Sequence, residues 1–182
     1  SRNNAMPLIL GIDPGSRKCG YGLVNAVGAE VHYVACGVIR VEKLEFPDRL
    51  QAIFSNLCDI IEEYSPQVAA VEEVFVGKSM SSALKLGQAR GAAMVACSSH
   101  HLEIHEYAAR KVKLALVGTG VADKSQMQHM IRSILKLSAL PKEDAADALS
   151  VAVCHAHIHR TLIRLSGVRS GRRGRLLALP KK

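Results

Sequence analysis

The sequence predicts an α/β fold, a mixed five-stranded sheet flanked by helices on both faces, and three observations carry that expectation. Three runs of β-branched and apolar residues, separated by Gly-containing breaks, come first, within residues 8–41. Helical and strand-like apolar patterns then alternate from residue 47 onward. At 182 residues and 48% hydrophobic, the chain is long enough for one real core and too short for two large ones, so a single domain is expected.

Taken in order, Leu8 to Ile12, Tyr21 to Val27 and Val31 to Val41 read as successive strands, and the short turns between them make antiparallel neighbours. Pro47 opens a helix in which Leu50, Ile53, Phe54, Leu57, Ile60, Ile61 and Tyr64 recur at helical spacing, and Pro66 closes it. Val68 to Val71 is a compact strand. Residues 81–98 form a helix of mostly small side chains, Gly87, Gly91, Ala92, Ala93 and Ala96 among them, suited to close approach either to its own sheet or to a second copy of the chain. Leu102 to Ile104 reads as a fifth strand, Lys124 to Leu137 as a third long helix and Asp144 to Ile163 as a fourth. There is no internal repeat. The composition shifts near Arg164, which sets the expected boundary between a domain over residues 6–163 and a basic, flexible C-terminal tail over 164–182. Residues 1–5, ahead of Met6, are read as lying outside the fold.

The formal net charge is +8, but residues 164–182 contribute seven Lys or Arg and no acid, which leaves the rest near +1. A basic balance that suggests a polyanionic partner therefore belongs first to the tail, where a flexible cationic arm adds salt-sensitive affinity. Five cysteines, Cys19, Cys36, Cys58, Cys97 and Cys154, are an odd number without close pairing, and fit small buried thiols in a reducing compartment. No apolar stretch approaches the ~18 residues of a membrane span, and no signal core follows a basic start, so a cytoplasmic protein without a membrane partner is expected.

Chemistry points to carboxylates. Asp13 follows an apolar strand and is flanked by Gly11 and Gly15, although an Asp before Pro14 also suits a plain turn. Glu72 and Glu73 end the Val68 strand; successive side chains alternate, so only one of them joins a given site, and periodicity does not choose between them. Asp144 and Asp147 share one face at the start of a helix, where capping alone would also favour acids. Acidic oxygens gathered in one place repel one another unless a hard cation neutralises them, and Mg²⁺ is held by a few carboxylates plus waters and substrate phosphates. His155, His157 and His159 alternate and so diverge around a helix axis, which favours surface histidines over zinc ligands.

The chain resembles RuvC-type Holliday junction resolvases. The resemblance rests on Gly-Ile-Asp-Pro-Gly-Ser at 11–16, Val-Glu-Glu-Val-Phe at 71–75, Ser-Ala-Leu-Lys-Leu-Gly-Gln-Ala-Arg-Gly at 82–91, Glu-Tyr-Ala-Ala-Arg at 106–110, Lys-Ser-Gln at 124–126 and Asp-Ala-Ala-Asp-Ala-Leu at 144–149, in family order. It implies a ribonuclease-H-like fold, a homodimer and Mg²⁺-dependent cleavage of four-way DNA junctions by paired symmetric nicks, in recombination and repair. It also implies that Asp13, Glu72, Asp144 and Asp147 are the catalytic, metal-binding acids, which selects Glu72 over Glu73. By the same resemblance, Phe75 packs against an unstacked base, Lys113 and Lys124 lie near the scissile phosphate, and a branch-migration motor is a partner.

The mechanism expected from this set is phosphodiester hydrolysis with two Mg²⁺ ions roughly 4 Å apart, Mn²⁺ being the natural substitute. An acidic centre repels DNA, so Lys78, Lys85, Arg90, Arg110, Lys111, Lys113 and Lys124 are expected to ring it. Cutting two strands of like polarity calls for a C₂ dimer. The competing readings are a related ribonuclease-H-like nuclease acting on other branched substrates, a non-catalytic junction-binding protein, and a phosphotransferase, which would need a second related domain that the chain lacks room for.

Overall fold

The computed structural model describes residues 7–73, 77 and 79–176, with side chains described as far as residue 165. Five strands, β1 (Leu8–Asp13), β2 (Lys18–Val27), β3 (Glu30–Arg40), β4 (Val68–Glu72) and β5 (Glu103–Tyr107), form one sheet in the order β3-β2-β1-β4-β5. The first three make the expected antiparallel meander, whereas β4 runs parallel to β1 and β5 parallel to β4. Parallel neighbours need a crossover. The first is α1 (Phe46–Tyr64), with Pro at its start and Ser65 in a left-handed conformation at its end; the second is α2 (Met80–Ser99).

Alternation along β1 divides the core. Leu10 and Ile12 face α1 and α2, where they meet Ile53, Leu57, Ala89 and Ala93; Ile9 faces the opposite layer with Ile131, Leu149 and Val153. That second layer is built from α3 (Ala109–Val117), α4 (Lys124–Ile134) and α5 (Glu143–Leu176). Helices thus cover both faces, as the sequence implies.

Three elements differ from the sequence expectation. The α3 helix was not anticipated; its nine residues are too few for a convincing apolar period, and only Val112 and Leu116 are buried. The fifth strand is longer than Leu102 to Ile104. The last helix also runs on past Ile163 to Leu176, through part of the segment expected as a tail.

Close docking of α5 on the sheet depends on glycine. A Cβ at Gly11 would lie 1.9 Å from the carbonyl oxygen of Ala148, and one at Gly20 would lie 2.1 Å from that of Asp144. No L side chain fits either space, so these two positions fix how near the first turns of α5 come to the ends of β1 and β2. Among the described residues no helix is long and apolar enough to cross a membrane.

Candidate active site

Strand parity brings the acids together. Asp13 has the parity of Ile9 and Gly11, and Glu72 that of Ala70, so both side chains emerge on the α5 side of adjacent parallel strands. Glu73 has the opposite parity, and its backbone N–H donates to the carbonyl of Tyr107 at 2.8 Å. Of the two, Glu72 is the one that lines a cavity with Asp13. The start of α5 supplies Asp144 and Asp147, with Asp144 laid over Gly20 and Ala148, the residue after Asp147, over Gly11.

Asp13, Glu72 and Asp147 line one cavity of about 270 Å³, together with Lys113, Lys124, Met127 and Ser150. Asp144 lines an adjoining recess with Gly15, Ser16, Arg17, Lys18 and Glu42. The two lysines arrive from different helices: Lys113 from α3, and Lys124 from the first turn of α4. A capping box holds the α4 start, in which the Asp123 carboxylate accepts from the Gln126 N–H and the Gln126 side chain accepts from the Asp123 N–H, each at 2.8 Å. Lys124 pairs with Glu143 and stands 3.9 Å from the Asp147 carboxylate. Sequence reasoning missed Glu143, although it lies next to Asp144, because only the pair spaced three apart was read as a site.

Electrostatics at this site are strained. Burial, then repulsion from Asp147, Glu72 and Asp144, pushes the Asp13 carboxyl up to about 8, with Lys124 opposing. Burial likewise raises Asp147 to about 6, and raises Glu72, whose second cause is Asp147. Two lysines are too few to compensate four acids. A cation would relieve the excess, and the donor set suits a hard one. Among the described residues no three acidic, His or Cys side chains stand close enough to clasp a metal by themselves.

The remaining sequence-predicted positions divide. Lys85, in α2, lies with its Nζ 5.8 Å from the Phe46 ring on the other layer, and Arg90 is paired with Glu106. Neither lines the acidic cavity. Phe75 and Lys78 lie outside the described residues. The histidine expectation is corrected: His155 is 3% exposed, not on the surface, and its Nδ1 is hydrogen-bonded to the Tyr107 hydroxyl at 2.6 Å, because it falls on the face that α5 presses against β5.

Comparison with known proteins bears on the family and the fold. The family profile described as crossover junction endodeoxyribonuclease RuvC matches residues 9–155. A Teredinibacter turnerae protein of that name is 59% identical over 175 residues, covering 93% of this chain and 99% of its own length. One from Saccharophagus degradans is 56% identical over 173 residues, covering 94% of this chain and 100% of its own length. A solved structure of Thermus thermophilus RuvC in complex with Holliday junction substrate is similar at a TM-score of 0.80 and 32% identity, over 85% of this chain and 96% of that one. The likeness bears out the ribonuclease-H-like fold.

Proposed function

Because this chain belongs to the RuvC family of crossover junction endodeoxyribonucleases, we propose that it resolves four-way DNA junctions in recombination and repair, by hydrolysing one phosphodiester in each of two strands of like polarity. Asp13, Glu72, Asp144 and Asp147 are its active-site acids in this reading. The observation that supports it most is the meeting of Asp13, Glu72 and Asp147 from β1, β4 and α5 at one cavity with Lys113 and Lys124.

The acids would hold divalent metal, Mg²⁺ by preference or Mn²⁺ in its place. When bound, the ions neutralise phosphate charge, lower the pKa of the attacking water and stabilise the leaving 3′-oxygen. The chain's own part is positional. Gly11 and Gly20 let α5 come down far enough for its acids to reach those of the strands. Glu143 steadies Lys124, whose ammonium, with that of Lys113, offers positive charge to the non-bridging oxygens of a docked phosphate. The products would be a 5′-phosphate and a 3′-hydroxyl.

Paired cuts need two such cavities, and a C₂ homodimer supplies them. The α2 helix is the proposed contact: Ala89, Ala93 and Ala96 pack on the chain's own sheet, while Met80, Leu84 and Val95 remain exposed. Phe75 and Lys78 are proposed as DNA contacts from the segment after β4, and Lys85 and Arg90 as more distant ones. A branch-migration motor is the further partner expected, in the cytoplasm.

The test is a nicking assay on a synthetic immobile four-way junction. Paired symmetric nicks are expected in Mg²⁺, none in EDTA and none on linear duplex of the same sequence. Cleavage that persists in EDTA, or binding without cleavage in both Mg²⁺ and Mn²⁺, would overturn the reading.

A further inference from the structure

We propose that a second recess, at the opposite end of β1 from Asp13, is a docking pocket for a partner protein, filled by a peptide segment that carries an acidic residue on an apolar body. The recess has a volume of about 540 Å³ and lies between the start of β1, the turn from β2 to β3, and α5. Its floor is apolar, formed by Ile9, Ala26 and Ala156; its wall is formed by His159 and the cationic Arg160 and Arg164, and no acidic residue lines it. That combination selects the chemistry of the guest. Arginine forks recognise carboxylates by paired hydrogen bonds, and the apolar floor gives nothing to a hydrated ion or a bare phosphate backbone.

Arg160 carries the argument further. One of its guanidinium nitrogens donates to the Ala29 carbonyl, which fixes the side chain across the rim, while its Nε is buried without a hydrogen-bond partner among the described residues. Held in this way, the guanidinium offers its remaining N–H groups to a carboxylate with little further ordering. Behind it His155, almost fully buried, closes the recess and spends Nδ1 on Tyr107.

The rim decides between a small molecule and a protein. Val27, next to the lining residue Gly28, is 45% exposed, so apolar surface runs on past the turn at the rim, which a peptide covers and a small carboxylate does not. The site also lies about 20 Å along α5 from Asp147, so a partner seated here leaves the acidic cavity open to its substrate.

The test selects a random peptide library on the full chain, with the Arg160→Glu, Arg164→Glu double variant as counter-selection. Enriched peptides should pair Asp or Glu with Leu, Ile or Phe. A synthetic peptide of that sequence, read by fluorescence anisotropy, should lose about tenfold or more in affinity with either single variant. Arg164 is exposed, so Arg164→Glu tests the claim even where Arg160→Glu perturbs folding. Binding should persist in the presence of saturating four-way junction. Enriched peptides without an acid, affinity unchanged in both variants, no enrichment above the counter-selected background, or displacement by the junction would each overturn the proposal, the last by making the recess part of the nucleic-acid surface.

Discussion

The first turn of α5 and the stretch two turns further on both press ionisable side chains against the sheet. At the first, burial and three neighbouring acids push Asp13 up to about 8; at the second, burial, with His105 and His159 beside it, pushes His155 down to about 4. Burial disfavours charge in both places. The difference lies in what each group finds. His155 meets the Tyr107 hydroxyl and the ring of His105 at 4.6 Å, so its neutral form is bonded within the fold. Asp13 meets other carboxylates across a cavity. His155 spends its hydrogen bond inside the fold, whereas a set of like charges facing open space is a place prepared for something from outside.

Asp13→Asn breaks the contrast most sharply, because it removes the carboxyl on which the other acids act and one of the proposed metal-holding groups together. Nicking of a four-way junction should fall by about 10³-fold or more, while junction binding, measured by mobility shift in Ca²⁺ or EDTA, should hold or tighten slightly. Glu72→Gln should behave in the same way and Glu73→Gln should not, since strand parity sends Glu73 to the other side. Equal losses in the two would remove the basis for choosing Glu72.

Gly11→Ala attacks the platform on which the acids rest. The added methyl meets a backbone carbonyl of α5, not the end of a flexible side chain. The helix must lift, which should cost about 3 kcal/mol and roughly 6–12 °C in Tm, and nicking should fall by more than the unfolded fraction explains. A variant that melts like the parent would show that the contact is softer than its geometry.

Much of this platform was legible in the sequence, and the reasons are particular. Asp13, Glu72, Asp144 and Asp147 stand out because each follows or opens an apolar run whose period fixes its element. What a period does not carry is the relation between elements. The resemblance alone chose Glu72 over Glu73; reaching that choice from the residues themselves needs the face of β4 that meets α5, and that follows from packing. The α3 helix went unread because two buried residues in nine leave no period, yet it delivers Lys113. His155 was misread because three alternating histidines diverge on any helix, and nothing local says that one of those directions is covered by β5. Glu143 lay beside a motif and outside its spacing.

The pH dependence of stability sharpens the contrast because the two clusters carry opposite signs. Asp13 has a folded pKa near 8 against about 3.9 unfolded, so in metal-free protein it holds a proton that the unfolded chain has lost. Its contribution is fully present below pH 4 and is lost as pH rises through 8. For His155 the folded pKa is depressed, so its contribution is present above about 6.5 and is lost as pH falls through about 4. In EDTA, raising the pH from 6.5 to 8.5 should therefore lower Tm by roughly 4 °C or more. Mg²⁺ should reduce that slope, and Asp13→Asn should abolish it. A flat profile in EDTA would mean that the acids are not held as near one another as the fold places them.

Tyr107→Phe probes the other cluster alone and should have the smallest effect. It keeps the ring over which the Lys111 ammonium lies at 5.4 Å and removes only the hydroxyl bonded to His155. Losing one buried hydrogen bond should cost about 1–2 kcal/mol, read as a modest fall in Tm at pH 7. The nicking rate should hold, because Tyr107 pairs in register with Glu72 through the backbone and the substitution leaves the backbone alone. A loss of nicking beyond about thirtyfold, which is more than the hydrogen bond is worth in stability, would mean that the histidine cluster helps to position the acids and that the two parts of α5 act as one site.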